Sequence, residues 1–182
     1  MPNTFRLKKY HQNTLNFMKH ILLSLLLIIP SLGFAGDATT FYLIRHTEKD
    51  LTIKNDPPLT QIGQYRAKKW AEVFSHIKVD AVYSTDTLRT RDTAKPTAVA
   101  QNKEVVLYSH RDFDFEGLIN KHQGETVVIV GHSNTTPNFA NGLLGEDKYE
   151  EMDESQYSRL YQVVITGEAR HGQILLINPL SE

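Results

Sequence analysis

Arg45-His46-Thr47 closes an apolar run, Thr40-Phe41-Tyr42-Leu43-Ile44. A histidine beside an arginine at the end of a buried strand can pair a nucleophile with an anion clamp. Strand ends at the edge of an α/β sheet are where such folds place their chemistry. Two further fragments repeat the logic. Tyr83-Ser84-Thr85 leads within a short turn to Arg89, and Val127-Val128-Ile129-Val130-Gly131 leads to His132. If these strands are neighbours, Arg45, His46, Arg89 and His132 converge on one point. Two guanidiniums suit a phosphoryl group, because each binds two oxygens in parallel. A phosphoryl group in transfer needs positioning and charge neutralisation. A neutral imidazole is a capable nucleophile near neutral pH, and a second, protonated one would donate to a nonbridging oxygen.

The intervening sequence supplies elements to position these groups. Thr39–Ile44, Ala81–Tyr83, Glu104–Tyr108 and Thr126–Val130 read as strands, the last with four consecutive β-branched aliphatic residues, Val127 to Val130. Residues 60–75 read as a helix capped by Thr60, with Ile62, Tyr65, Ala67, Trp70, Val73 and Phe74 as its apolar stripe. Trp70 and the Tyr65/Phe74 stripe are expected in the core. Residues 88–101 read as a helix that Pro96 should bend or restart. Residues 114–123 and 136–144 read as helices, the second ending at Gly145 as a C-cap. Residues 160–166 and 173–178 read as a terminal hairpin around Gly167 and Gly172. Alternating β and α elements predict a three-layer α/β/α sandwich on a mostly parallel central sheet.

The chain has 182 residues and no cysteine. Its length predicts one domain. The lack of cysteine excludes disulfides, thiolate metal sites and a cysteine nucleophile. Residues 1–35 hold four basic residues (Arg6, Lys8, Lys9, Lys19) and no acidic ones. The remainder keeps 16 of the 20 Lys and Arg and all 21 Asp and Glu, a net charge of −5. An acidic body has no electrostatic reason to bind nucleic acid, so an anionic ligand must be held by a local cluster of cations.

Met18-Lys19-His20, the apolar stretch from Ile21 to Ile29 and the small residues Gly33 and Ala35 form the pattern of a secretory signal. The apolar run falls short of the ~20 residues of a spanning helix. Cleavage is expected after Ala35, with Met18 a candidate start. Residues 1–35 are thus read as extension and signal, and residues 36–182 as the working domain in the periplasm or beyond. Its contact with a membrane is expected only through the export signal.

In these fragments the chain resembles the histidine phosphatase superfamily, also called phosphoglycerate mutase-like. Arg45-His46-Thr47 is similar to the family's Arg-His-Gly signature, Arg89-Thr90-Arg91-Asp92-Thr93-Ala94 to its Arg-Ala-x-Gln-Thr-Ala segment, and Gly131-His132-Ser133 to its Gly-His motif. The resemblance runs from about Phe41 to Asn178. Asp56-Pro57-Pro58-Leu59-Thr60 and Tyr157-Ser158-Arg159-Leu160-Tyr161 look like a compact, lid-poor bacterial branch. The resemblance implies that His46 accepts the phosphoryl group, that Arg45, Arg89 and His132 hold its oxygens, and that water hydrolyses the phosphohistidine. The substrate is then a small phosphorylated molecule or phosphate ester. No cofactor and no metal are implied. Alternatives are a phosphoglycerate mutase-like phosphotransferase and a low-turnover protein that binds phosphosugars or envelope phosphates.

Thr47 replaces the family's glycine; its hydroxyl is a further candidate phosphate donor, and Asn134 a candidate at the site edge. Leaving-group protonation needs a carboxyl near the ester oxygen. The candidates are Asp112, just past the Val105–Tyr108 strand, then Glu48, then Glu116. His110, His122 and His171 read as solvated surface histidines. The acidic run from Glu146 to Glu154 reads as a solvated face, with pocket lining as the alternative.

Overall fold

The computed structural model describes residues 37–180. The expected signal, its cleavage point and the 35/36 boundary lie outside the described residues. Six strands form one sheet: β1 (Thr39–Arg45), β2 (Ala81–Thr85), β3 (Val105–Tyr108), β4 (Thr126–Gly131), β5 (Arg159–Thr166) and β6 (Ala169–Leu176). Their order is β3-β2-β4-β1-β5-β6. The first four are mutually parallel, and β5 and β6 run antiparallel at one edge. This is the expected α/β sheet. The helices are α1 (Gln61–Val73), α2 (Leu88–Ala100), α3 (Phe115–Lys121) and α4 (Thr135–Leu144).

Strand alternation builds the two cores. Phe41, Leu43, Val127 and Ile129 point to one face, where they meet Leu118, Phe139 and Leu143 from α3 and α4. Ile44, Val128 and Val130 point to the other, against Trp70, Ala94 and Ala98 from α1 and α2. A central parallel strand covered on both faces must be apolar throughout, which is why β4 reads as an unbroken aliphatic run.

Helix α1 is rotated from its expected phase. Gly63, Ala67, Trp70 and Ala71 are its buried stripe, whereas Ile62 and Tyr65 are 52% and 50% exposed. Trp70 and Phe74 are core, as expected; Tyr65 is not. The reason lies at Gly63, where any Cβ would overlap the Glu48 carbonyl, so the helix turns its smallest residue toward the loop after β1. Helix α2 runs unbroken through Pro96. Asp92, whose carbonyl loses its partner to the proline, is exposed to solvent, and Thr93, Ala94, Thr97 and Ala98 remain packed. The hairpin turns at Gly167, with φ of 58°, and β6 begins at Ala169 rather than at residue 173. Gly172 therefore sits inside β6, where a Cβ would lie 2.7 Å from Leu144 Cδ1. Among the described residues no helix is long and apolar enough to cross a membrane.

Leu143 is fully buried between α4 and the sheet. Leu143→Ala is expected to cost about 2–5 kcal/mol in denaturant unfolding. Leu176→Ala, at a position 77% exposed, is expected to stay within about 0.5 kcal/mol.

Candidate active site

Strand order decides which motifs meet. β4 lies between β1 and β2, with Arg45 paired to Gly131 and Ser84 to Val130. The three parallel strands therefore end side by side, and the residues just past them share one edge. His46 and His132 face each other with ring centroids 5.5 Å apart. Both line a cavity of about 370 Å3 together with Lys49, Arg89, His110, Asn134, Glu151 and Glu154.

The loop after β1 is held from three sides. The His46 backbone N–H donates to the Gly131 carbonyl at 2.9 Å. Thr47 donates its hydroxyl to the Gly63 carbonyl at 2.8 Å and its backbone N–H to Thr93 Oγ1 at 3.1 Å. Thr93 in turn donates to the Arg89 carbonyl at 2.7 Å. The Thr47 side chain is thus committed to α1 and α2 and fully buried. Its hydroxyl faces away from the cavity, which corrects the expectation that it donates to phosphate.

Hydrogen bonds assign both imidazole tautomers. Nδ1 of His46 lies 2.7 Å from the Thr47 carbonyl. A carbonyl only accepts, so Nδ1 carries the proton and Nε2 holds the lone pair. On His132 the roles are reversed. Nδ1 accepts from Arg89 Nη2 at 3.4 Å, and Nε2 donates to Thr85 Oγ1 at 2.9 Å. Burial holds the His46 imidazole down at about 3, with the charges of Arg45, His132 and Arg89 adding to it against the Thr47 carbonyl. Burial and then Arg89 hold His132 at about 4. Both rings are therefore neutral at neutral pH. His132 Nδ1 is thus an acceptor, and an anion beside the ring would raise its basicity.

Arg45 is 3% exposed. Its guanidinium donates to the carbonyls of Asp153 and Glu154, lies 3.3 Å from Glu154 Oε2 and stacks 4.7 Å from the Tyr157 ring. Arg89 sits in the first turn of α2, anchored 3.6 Å from Asp56 Oδ1. Nε of each arginine is buried without an acceptor. An unpaired buried donor on a charged group is costly, and an anion between the two arginines removes that cost. Asn134 caps α4 by accepting from the Thr135 N–H at 2.8 Å, which turns the helix N-terminus toward the cavity. Gly131 is required here, because a Cβ would lie within 2.9 Å of the Thr135 and Thr136 hydroxyls.

None of the three carboxyls expected as proton donors lines this cavity. Asp112, at φ of 49°, lines a neighbouring cavity of about 580 Å3 with Tyr83, Tyr108 and Phe113. The Glu48 carboxylate grips Arg66 with oxygens 2.6 and 3.1 Å from Nη2 and Nε. Glu116 is paired with Arg170. The reason is geometric. A strand reverses its facing at each residue, and a loop does so irregularly, so proximity in sequence to the nucleophile does not place a carboxyl beside it.

The acidic run does line the cavity, through Glu151 and Glu154. The Glu154 carboxylate reaches Lys49 at 3.2 Å and accepts from Ser133 Oγ at 3.2 Å. Partial burial pushes its carboxyl up, but Lys49, Arg45 and Ser133 outweigh this and hold it below the usual range. The run is strapped down by the buried Met152, whose N–H donates to the Ser133 carbonyl at 3.1 Å. Tyr149 and Met152, the apolar-bodied residues inside an acidic stretch, were the available signal.

His110 is exposed, as expected, and also lines the cavity. His122 departs from expectation. His122 is buried, between the Tyr83 hydroxyl at 2.9 Å and Glu125 at 2.6 Å. His171 is exposed, as expected. Among the described residues no cluster of three or more His, Asp or Glu side chains is arranged to hold a metal ion.

The tautomers predict how stability depends on pH. An unfolded histidine titrates near ~6.5, whereas folded His46 and His132 stay neutral down to about 3 and about 4. Between roughly pH 4 and 6.5 the unfolded chain binds more protons, so stability rises with pH across that window and falls as pH drops through it. Urea unfolding from pH 4.5 to 7 should show this slope, and His46→Gln/His132→Gln should flatten it.

A model of the histidine phosphatase superfamily (branch 1) matches residues 41–111. No curated protein matches the chain in sequence. Among solved structures it is similar to a phosphoserine phosphatase from Entamoeba histolytica in mutant form with bound phosphoserine, with 16% identity, TM-score 0.63 and coverage of 79% of this chain and 100% of that one. It is similar to a mycobacterial glucosyl-3-phosphoglycerate phosphatase, with 15% identity, TM-score 0.57 and coverage of 78% and 99%. It is also similar to the protein histidine phosphatase SixA complexed with tungstate, with 14% identity, TM-score 0.60 and coverage of 77% and 97%. These identities speak to the fold. The family match covers Arg45, His46 and Arg89, and the sheet brings His132 to them.

Proposed function

We propose that this protein is an exported phosphomonoesterase that works through a phosphohistidine on His46 Nε2. The observation that carries the reading is the His46 tautomer. Nδ1–H is tied to the Thr47 carbonyl, so the lone pair is on Nε2, beside guanidinium nitrogens that lack acceptors. A phosphoryl group bridging Arg45 and Arg89 would accept from both forks, with the His132 ring and the α4 N-terminus at its remaining oxygens. Nε2 attacks phosphorus, the ester oxygen leaves, and water then cleaves the P–N bond. The fixed Nδ1–H bond stabilises the positive charge the ring acquires. The similar structures named for phosphoserine, glucosyl-3-phosphoglycerate and protein-histidine phosphatases support a phosphorylated substrate. Lys49 adds a cation at the rim. Export rests on the amino-terminal pattern ending at Ala35.

His46→Ala is expected to lower turnover of an aryl phosphate by ~10^3-fold or more, with no acid-labile phosphoenzyme trapped in rapid quench. Full activity in the variant would sink the mechanism. In the wild type, kcat/KM corrected for substrate ionisation should hold through pH 6.5 and fall only toward about 4 and 3, as the two imidazoles protonate. Produced with its own amino terminus in a bacterium, the protein should appear in the periplasmic fraction beginning at Gly36. An intact amino terminus in the cytosol would refute export.

A further inference from the structure

The loop joining β3 to α3 faces two cavities. Ser109, Arg111 and Asp112 line the one beside Tyr83 and Tyr108, whereas His110 lines the one that holds His46, Arg89 and His132. The phosphoryl reaction needs a proton for the departing ester oxygen, and Asp112, Glu48 and Glu116 do not reach it. The charged and titratable groups around the cavity come from every element that forms it: Lys49 and His46 from the loop after β1, Arg89 from α2, His132 from the loop after β4, and Glu151 and Glu154 from the strap after α4. Lys49, Glu154 and Arg45 are tied to one another, and Arg89 is tied to Asp56 and His132. The His110 ring has no hydrogen-bond partner among the described residues and is exposed. Its charge acts on His132, which places it within electrostatic reach of the reacting centre. Glu151 is the other lining group without a hydrogen-bond partner among the described residues, and it is the rival that the test separates from His110.

We propose that His110 is the general acid for the leaving group and then the base for the attacking water. The inference rests on the phosphohistidine reading. In the first half-reaction the Nε2 lone pair of His46 forms the P–N bond. The P–O ester bond breaks, its electron pair stays on the leaving oxygen, and the His110 imidazolium gives that oxygen its proton. In the second, neutral His110 takes a proton from water as the water oxygen bonds to phosphorus. The P–N electron pair returns to His46. The products are an alcohol and inorganic phosphate, and His110 is again protonated.

The test is pre-steady-state phosphorylation of the purified protein and of His110→Gln by two probes, 4-nitrophenyl phosphate and an alkyl phosphate such as glycerol phosphate. The nitrophenolate leaves without help and the alkoxide does not. The expected result is a loss of ~10^2-fold or more with the alkyl substrate against less than about threefold with the nitrophenyl one. Equal losses with both probes, or the same selective loss in Glu151→Gln instead, would overturn the assignment. Inorganic phosphate binding by titration calorimetry confirms that His110→Gln is folded. If the wild type forms no phosphoenzyme with either probe, it is the phosphohistidine reading that fails, and the proton donor with it.

Discussion

The bond from Thr47 to Gly63 is the contact on which the site depends. It ties the loop after β1 to α1, and through Thr93 the same threonine ties that loop to α2. Since Thr93 also bonds the Arg89 carbonyl, one buried hydroxyl network sets the height of His46 and of Arg89 together. Preorganisation of this kind lets charges act on a phosphoryl group without reorganising during the reaction. The glycine at position 63 is the steric condition for it, because the Glu48 carbonyl occupies the space of a Cβ.

Burial makes the centre reactive at the expense of stability. Arg45, His46 and Thr47 are all at most 3% exposed. An arginine so placed has lost its hydration, and the protein returns part of it through the carbonyls of Asp153 and Glu154 and the Tyr157 face. What is not returned is the hydration of the Nε atoms of Arg45 and Arg89, which stay buried without an acceptor. The same desolvation keeps both imidazoles neutral.

The strap after α4 has two duties. Asn141 fixes its start through Tyr149 and Lys148, and Met152 fixes its middle. Its end closes over Arg45 and presents carboxylates to the cavity rim. The cavity thereby gains a wall of mixed charge. This wall holds the clamp in place while leaving the mouth open.

The local signals were sufficient for the strands, the caps Thr60 and Gly145 and the four motif residues, because each depends on nearest-neighbour chemistry: β-branching, side-chain capping and apolar runs ending in Arg45, Arg89 and His132. Local periodicity could not give the rotation of α1, the unbroken α2 or the start of β6. Those were set by close packing at Gly63, by the buried stripe around Thr97 and by pairing with β5. Nor could it rank the proton donors. Asp112 and His110 are two residues apart yet face different cavities, and Glu154, more than a hundred residues from Arg45, touches it. The sequence by itself determined the fold class and the convergence of Arg45, His46, Arg89 and His132, because strand ends in this fold have one edge to share. Only the tertiary structure decided which histidine, lysine and carboxylates line the cavity with them, because loop direction is set by long-range packing rather than by spacing along the chain.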